Sequence, residues 1–229
     1  MLSSWICINQ GISVTEVDFE IITAYQRYKL MASLIVPRPI ALVTTVGPTG
    51  VVNAAPFSMF NMVGEDPPIL MISINRLKDG RLKDTAANIL RTGEFVVHMS
   101  DEPMAQKMHD CGEAFPSDVS ELAAVGLTPV ASRCVAPPRI LEAPVAFECV
   151  LHEKLETESR YVFIGRIAWL AARDGLIDTE AWRVNLRDYH PVARFGASFY
   201  TRTNERFSLA SPSDKPDQRA PTSTGIDEI

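Results

Sequence analysis

The chain has 229 residues, 46% of them apolar, with 22 basic against 28 acidic side chains and a net charge of −6. That apolar content is enough for a self-supporting fold burying roughly 70% of the unfolded surface, and the acidic balance offers no basic face for nucleic acid. Four cysteines, Cys7, Cys111, Cys134 and Cys149, form no C-x-x-C pair, which argues against a zinc ribbon or a disulfide framework and for a reducing compartment.

Residues 1–14 have no basic leader, no long apolar stretch and no small-residue cleavage site, and no run reaches the eighteen apolar residues of a membrane span. The expectation is a cytoplasmic protein with neither membrane nor nucleic acid as partner. One domain is expected over 18–208, after an extension at 1–17. A polar, proline-rich tail at 209–229 is expected to be disordered, because it has too little apolar surface to offset its ordering entropy.

In chain order, residues 40–46 (IALVTTV) and 51–53 predict two strands around the turn Gly47-Pro48-Thr49-Gly50. Residues 69–74 (ILMISI) follow as a strand. A helix over 85–92 starts after Asp84 and stops at Gly93. Residues 94–99 read as a strand, 103–110 as a helix after Asp101-Glu102, and 145–155 and 161–170 as two long strands rich in β-branched and aromatic residues. Close-set strands with inserted helices predict a mainly β fold, a barrel or sandwich, rather than a doubly wound α/β sheet.

Neither G-x-G-x-x-G nor G-x-x-x-x-G-K-[ST] occurs, so a Rossmann domain and a P-loop are not expected. G-x-S-x-G is also missing, which leaves hydrolase chemistry without support. His98, His109, Asp110 and Cys111 follow no metal-ligand spacing, and His98, inside an apolar strand, reads as a hydrogen-bonded core or rim histidine; no metal is expected.

Three segments have the right residue types for a phosphorylated aromatic cofactor. Residues 53–61 (NAAPFSMFN) put a proline, two small residues and several polar groups between apolar strands; this suits a flat ring with a polar edge, and equally a bulged edge strand. Lys83-Asp84-Thr85 opens a helix, where unpaired first-turn N–H groups, a cation and a hydroxyl suit a phosphate, unless Asp84 simply caps the helix. Arg38, between Pro37 and Pro39, carries a guanidinium on a rigid mount, for a phosphate or carbonyl edge or merely for solvent.

The ordered set of these pieces resembles the flavin reductase-like family over about residues 36–200. It runs from Pro37-Arg38-Pro39-Ile40-Ala41-Leu42-Val43-Thr44-Thr45 through residues 53–61, Asp66-Pro67-Pro68, Lys83-Asp84-Thr85 and Asn88-Ile89, and ends at Arg194-Phe195-Gly196 and Tyr200. The resemblance implies an FMN-binding split barrel, a homodimer with the flavin near the subunit interface, and in many members a flavin-dependent oxygenase partner. It assigns Arg38, Thr44, Thr45, Asn53, Ala54 and Ser58, with neighbouring Ala55, to the ring and ribityl chain. Lys83 and Thr85, with Asp84 between them, fall to the phosphate. Ala197 departs from the family, which often has glycine there.

The implied reaction is hydride transfer from NADH or NADPH to bound FMN, with FAD the alternative flavin. The cofactor carries the chemistry, so no catalytic side chain is assigned. Two other readings stay open: an FMN carrier that accepts no hydride directly, and an FMN-dependent oxidase or reductase of an organic substrate.

Overall fold

The structure, a computed structural model, describes residues 14–209. Most of the expected N-terminal extension, including Cys7, and the expected tail from residue 210 onward lie outside the described residues. The elements, in order, are α1 (Ala24–Leu34), β1 (Arg38–Pro39), β2 (Ala41–Val46), β3 (Val52–Phe57), β4 (Phe60–Glu65), β5 (Pro68–Asn75), α2 (Asp84–Thr92) and β6 (Glu94–Met99). Then follow a 3-10 turn (Glu102–Met104), α3 (Ala105–Asp110), α4 (Glu121–Val125), β7 (Pro129–Val130), β8 (Arg139–Ile140), β9 (Val145–Glu156) and β10 (Arg160–Ala172). Four short strands end the described chain: β11 (Ile177–Asp178), β12 (Arg183–Val184), β13 (Ala193–Arg194) and β14 (Tyr200–Thr201).

Seven strands form one antiparallel sheet in the order β3-β2-β6-β9-β10-β5-β4. Its two edges, β3 and β4, are consecutive in the chain and separated only by the bend at Ser58-Met59, so the sheet curls round until its edges meet. All seven strands send side chains into one core, from Val43, Phe57 and Phe60 to Ile72, Phe95, Cys149 and Phe163. Such a core is the interior of a barrel, and the fold is the mainly β split barrel expected from the sequence.

The alternation of strand side chains divides β2 between two cores. Ala41 and Val43 face the barrel interior, whereas Leu42, with the preceding Ile40, joins an outer core with Met104, Met108, Leu122 and Leu127. Five consecutive β2 residues are therefore buried, which is why the segment reads as a continuous apolar run. Helix α2 buries Thr85, Ala86, Asn88 and Ile89 on one face and ends at Gly93, whose φ of 70° suits a residue without a Cβ.

The expected elements largely form; strand β4 and the two-residue strands were not anticipated, and four further differences stand out. The segment 53–61, read as a cofactor contact or a bulged edge strand, does supply an edge strand, but β3 runs through Pro56 without a register shift, because at a sheet edge a missing N–H costs no ladder bond. The helix expected at 103–110 is a 3-10 turn followed by the six-residue α3. Helix α4 was not anticipated. Nor was α1, although Thr23 and Gln26 form a capping box at its start.

His98 behaves as the core histidine expected. Its Nδ1 lies 2.9 Å from the Leu42 carbonyl and its Nε2 accepts the Ile140 N–H at 3.0 Å, so the neutral ring joins β2, β6 and β8. Burial pushes its pKa down to about 4. The folded value lies below the unfolded one, so stability is fully present above pH 6.5 and is lost as pH falls toward 4. The loss is on the order of 3 kcal/mol. Urea midpoints measured from pH 7 to pH 4 should fall more steeply for the parent than for His98→Gln.

Gly165 lies at a register shift where β10 bends over the interior, and a Cβ there would stand 2.3 Å from Phe95 Cζ. Phe95 is fully buried and cannot yield. Gly165→Ala is expected to cost about 1–3 kcal/mol in urea unfolding; an unchanged midpoint would contradict the packing described.

Candidate functional site

Strand β3 is the spine of the candidate site. At its start, the Asn53 amide donates to Thr45 Oγ1 at 3.2 Å and to Thr85 Oγ1 at 3.0 Å, and Asn88 also donates to Thr45 Oγ1 at 3.0 Å. Just past its end, Arg38 Nε reaches Ser58 Oγ at 3.4 Å while its Nη1 donates to the carbonyls of Ala32 and Ile35. Five residue steps separate Asn53 from Ser58, about 17 Å of extended chain.

The ten residues singled out in the sequence thus fall into three sets. Arg38 and Ser58 line an open cleft of about 450 Å³. Lys83 and Asp84 stand at the start of α2, and Asp84 lines a small hollow of about 40 Å³ with Asn53, Asn88 and Glu121. Thr44, Thr45, Ala54 and Thr85 turn inward. Thr44 donates to the Pro138 carbonyl at 2.6 Å, Thr45 and Thr85 accept from Asn53, and Ala54 is packed in the outer core. Ala55 is half-buried against the barrel interior.

The start of α2 is not capped as Asp84 alone would have capped it. Lys83 is the N-cap residue, no side chain bonds the first-turn N–H groups, and the Lys83 ammonium has no ion-pair partner among the described residues. Burial lowers its pKa, so the charge is held where water screens it poorly. An unpaired cation beside free helix N–H groups is a donor set for phosphate.

The open cleft contains residues that motif reading did not assemble. Helix α1 contributes Tyr25, Tyr28 and Lys29, and the C-terminal segment contributes Arg194 and Tyr200. The Arg194 guanidinium lies 4.7 Å from the Tyr200 ring centre, and the Tyr200 hydroxyl lies 2.8 Å from His109 Nδ1. Gly196 lets α1 approach: a Cβ there would meet Ser33 Cα at 3.1 Å. Ala197, the departure from the family pattern, adopts a left-handed φ of 39° and is among the residues that line the cleft.

Glu121 is a further residue that the sequence did not single out. Its Oε2 accepts the Ala54 N–H at 2.8 Å, on the open edge of β3. The Ala54 N–H, outside the ladder at this edge, is therefore already taken by a side chain. Burial raises the Glu121 pKa, and the Ala54 bond pulls it the other way.

Among the described residues, no group of three or more His, Cys, Asp or Glu side chains could hold a metal ion, and no helix is long and apolar enough to cross a membrane. The flavin reductase like domain matches residues 31–190. The chain belongs to that family. A 2-nitrobenzoate 2-nitroreductase from Pseudomonas fluorescens is 38% identical, with a TM-score of 0.81 over 90% of this chain and all of that chain. Component B of nitrilotriacetate monooxygenase from Bacillus cereus is 33% identical, with a TM-score of 0.82 over 87% of this chain and all of its own. An uncharacterised protein of Aquifex aeolicus is 43% identical over 175 residues, 76% of this chain and 89% of that protein.

Within this flavin reductase-like fold, Glu121→Ala leaves the Ala54 N–H unpaired and is expected to cost about 1–3 kcal/mol in urea unfolding. Glu121→Gln keeps an acceptor and should recover most of that loss. Equal losses for the two variants would remove the bond from the account.

Proposed function

We propose that this protein is an FMN-dependent oxidoreductase that takes hydride from NADH or NADPH. The observation that carries the reading is the start of α2, where an uncapped helix end and the unpaired, half-buried Lys83 flank the Asn53 end of β3. These groups fit a dianionic phosphate. At the far end of β3, Arg38 and Ser58 border a cleft of tyrosines and cations suited to the ring system. The length of β3 is comparable to that of an extended flavin mononucleotide.

When bound, FMN supplies the hydride acceptor. The chain's own residues bind and orient: Lys83 and the α2 amides hold the anionic end, and Arg38, fixed by two backbone carbonyls, presents positive charge at the other. Thr45, Thr85 and Asn88 act behind them, because their bonds fix Asn53 and the approach of α2. Positive charge near the ring favours the reduced flavin, so no acid–base side chain is needed.

We also assign the protein to a homodimer. No residue of α1 is buried, and Leu34 and Ile35 are 76% and 59% exposed. An 11-residue helix gains little from propensity alone, and a second copy would cover it. The relationship to component B of a monooxygenase favours delivery of reduced flavin to an oxygenase. The three tyrosines of the cleft, with the 38% identity to a nitroreductase, favour a second reading, direct reduction of an aromatic organic acceptor at the same site.

Lys83→Ala is expected to weaken FMN binding about tenfold or more, the loss of one charge-assisted contact, with little change in folding stability. Fluorescence titrations that overlay the parent would refute the phosphate assignment. Thr85→Ala should lower stability as well as affinity, since its hydroxyl serves Asn53. Anaerobic addition of NADH or NADPH should bleach the bound flavin; persistent colour would leave only a carrier. Light scattering should give twice the chain mass.

A further inference from the structure

A second cavity of about 480 Å³ adjoins the tyrosine cleft, and His109 and Tyr200 line both. The hydrogen bond between these two side chains forms the wall between the spaces. The second cavity is of mixed character, with Ala105 and Val192 beside Gln106, Ser198, Thr201 and the ion pair Glu102–Arg202. Arg202 directs Nε and Nη2 at the same oxygen, Glu102 Oε1, at 2.8 and 2.5 Å. The other oxygen, Oε2, accepts no hydrogen bond from the described residues.

We propose that this second cavity receives the adenosine half of the nicotinamide donor, and that Glu102 and Arg202 read the 2′ position of its ribose in favour of NADH. The inference rests on the reading of the protein as a nicotinamide-dependent reductase. A dinucleotide has two parts: the hydride-donating part must reach the ring end of β3, and the remaining part needs an adjoining space with apolar surface for the base and polar groups for the ribose. The shared His109–Tyr200 wall puts the two cavities within one such ligand's reach.

The preference follows from charge. A ribose 2′-hydroxyl is a donor, and Glu102, which lines the cavity, keeps Oε2 as an acceptor with no hydrogen bond from the described residues. A 2′-phosphate is a dianion that would meet the Glu102 carboxylate, and the charge of the neighbouring Arg202 guanidinium is already offset by that carboxylate. Arg202 has N–H groups to spare, but while it stays paired with Glu102 it brings a phosphate no net positive charge. Arg202 and Glu102 are 68% and 49% exposed, so either can be replaced without disturbing the core.

The test uses the full chain and two fragments that carry no hydride, 5′-AMP and adenosine 2′,5′-bisphosphate, followed by NMR shift titration. The parent should bind 5′-AMP more tightly. Glu102→Gln should shift the ratio of affinities toward the bisphosphate about tenfold, and should move the ratio of kcat/KM for NADPH over NADH in the same direction. Arg202→Gln should weaken the bisphosphate and leave 5′-AMP within about threefold. Affinities unchanged in both variants, or fragments that fail to bind while NADH still bleaches the flavin, would overturn the assignment of this cavity. Failure of both donors to bleach the flavin is a separate signal, and overturns the donor reading together with this one.

Discussion

The side-chain amide of Asn53 bonds Thr45 on the neighbouring strand and Thr85 on α2, and the position of everything else in the candidate site depends on that junction. A buried amide left without partners would be costly, so the helix and the sheet edge are held at one separation. That separation puts the uncapped first turn of α2 and Lys83 beside the strand that leads to Ser58. Loosening the junction would move the proposed phosphate end relative to the ring end, because β3 itself is an unbroken strand and transmits no slack.

The same junction explains why so many polar residues of the motif lie beneath the surface. Thr44, Thr45 and Thr85, assigned to the cofactor by the family resemblance, are each hydrogen-bonded to protein, and in the proposed site they act as supports. The groups left with spare capacity are fewer: Lys83, the first-turn amides of α2, and the cations and tyrosines of the cleft. In a family whose chemistry belongs to a flavin, this division is physically reasonable. The protein has to hold a large planar molecule at both ends and place charge near it, and rigid mounting of a few groups achieves both.

The edges of the barrel show a related economy of parts. A strand edge with open N–H groups is a hazard, and here β3 is protected by Pro56, which has no N–H, and by Glu121, which accepts the one at Ala54. At the other end of the cleft, Arg38 closes two carbonyls near the end of α1, and Gly196 lets that helix come near. Helix α1 is thus fastened through backbone contacts while its apolar side chains remain uncovered, the surface that the proposed second copy would cover.

Sequence alone determined those features whose cause is local. The β-branched and aromatic residues of 94–99 gave β6 with its exact bounds, Gly93 stopped α2 because only glycine takes its left-handed φ cheaply, the Gly47–Gly50 turn closed the first hairpin, and the apolar setting of His98 marked it as a core residue. The ordered motifs also fixed the family. Tertiary structure decided what depends on residues far apart in the chain. Glu121 meets Ala54 across 67 positions and His109 meets Tyr200 across 91, and no local pattern encodes either contact. Whether a threonine faces a cofactor or a neighbouring strand is likewise set by which element covers its face. A hydroxyl has the same chemistry in both places, and only long-range packing chooses between them.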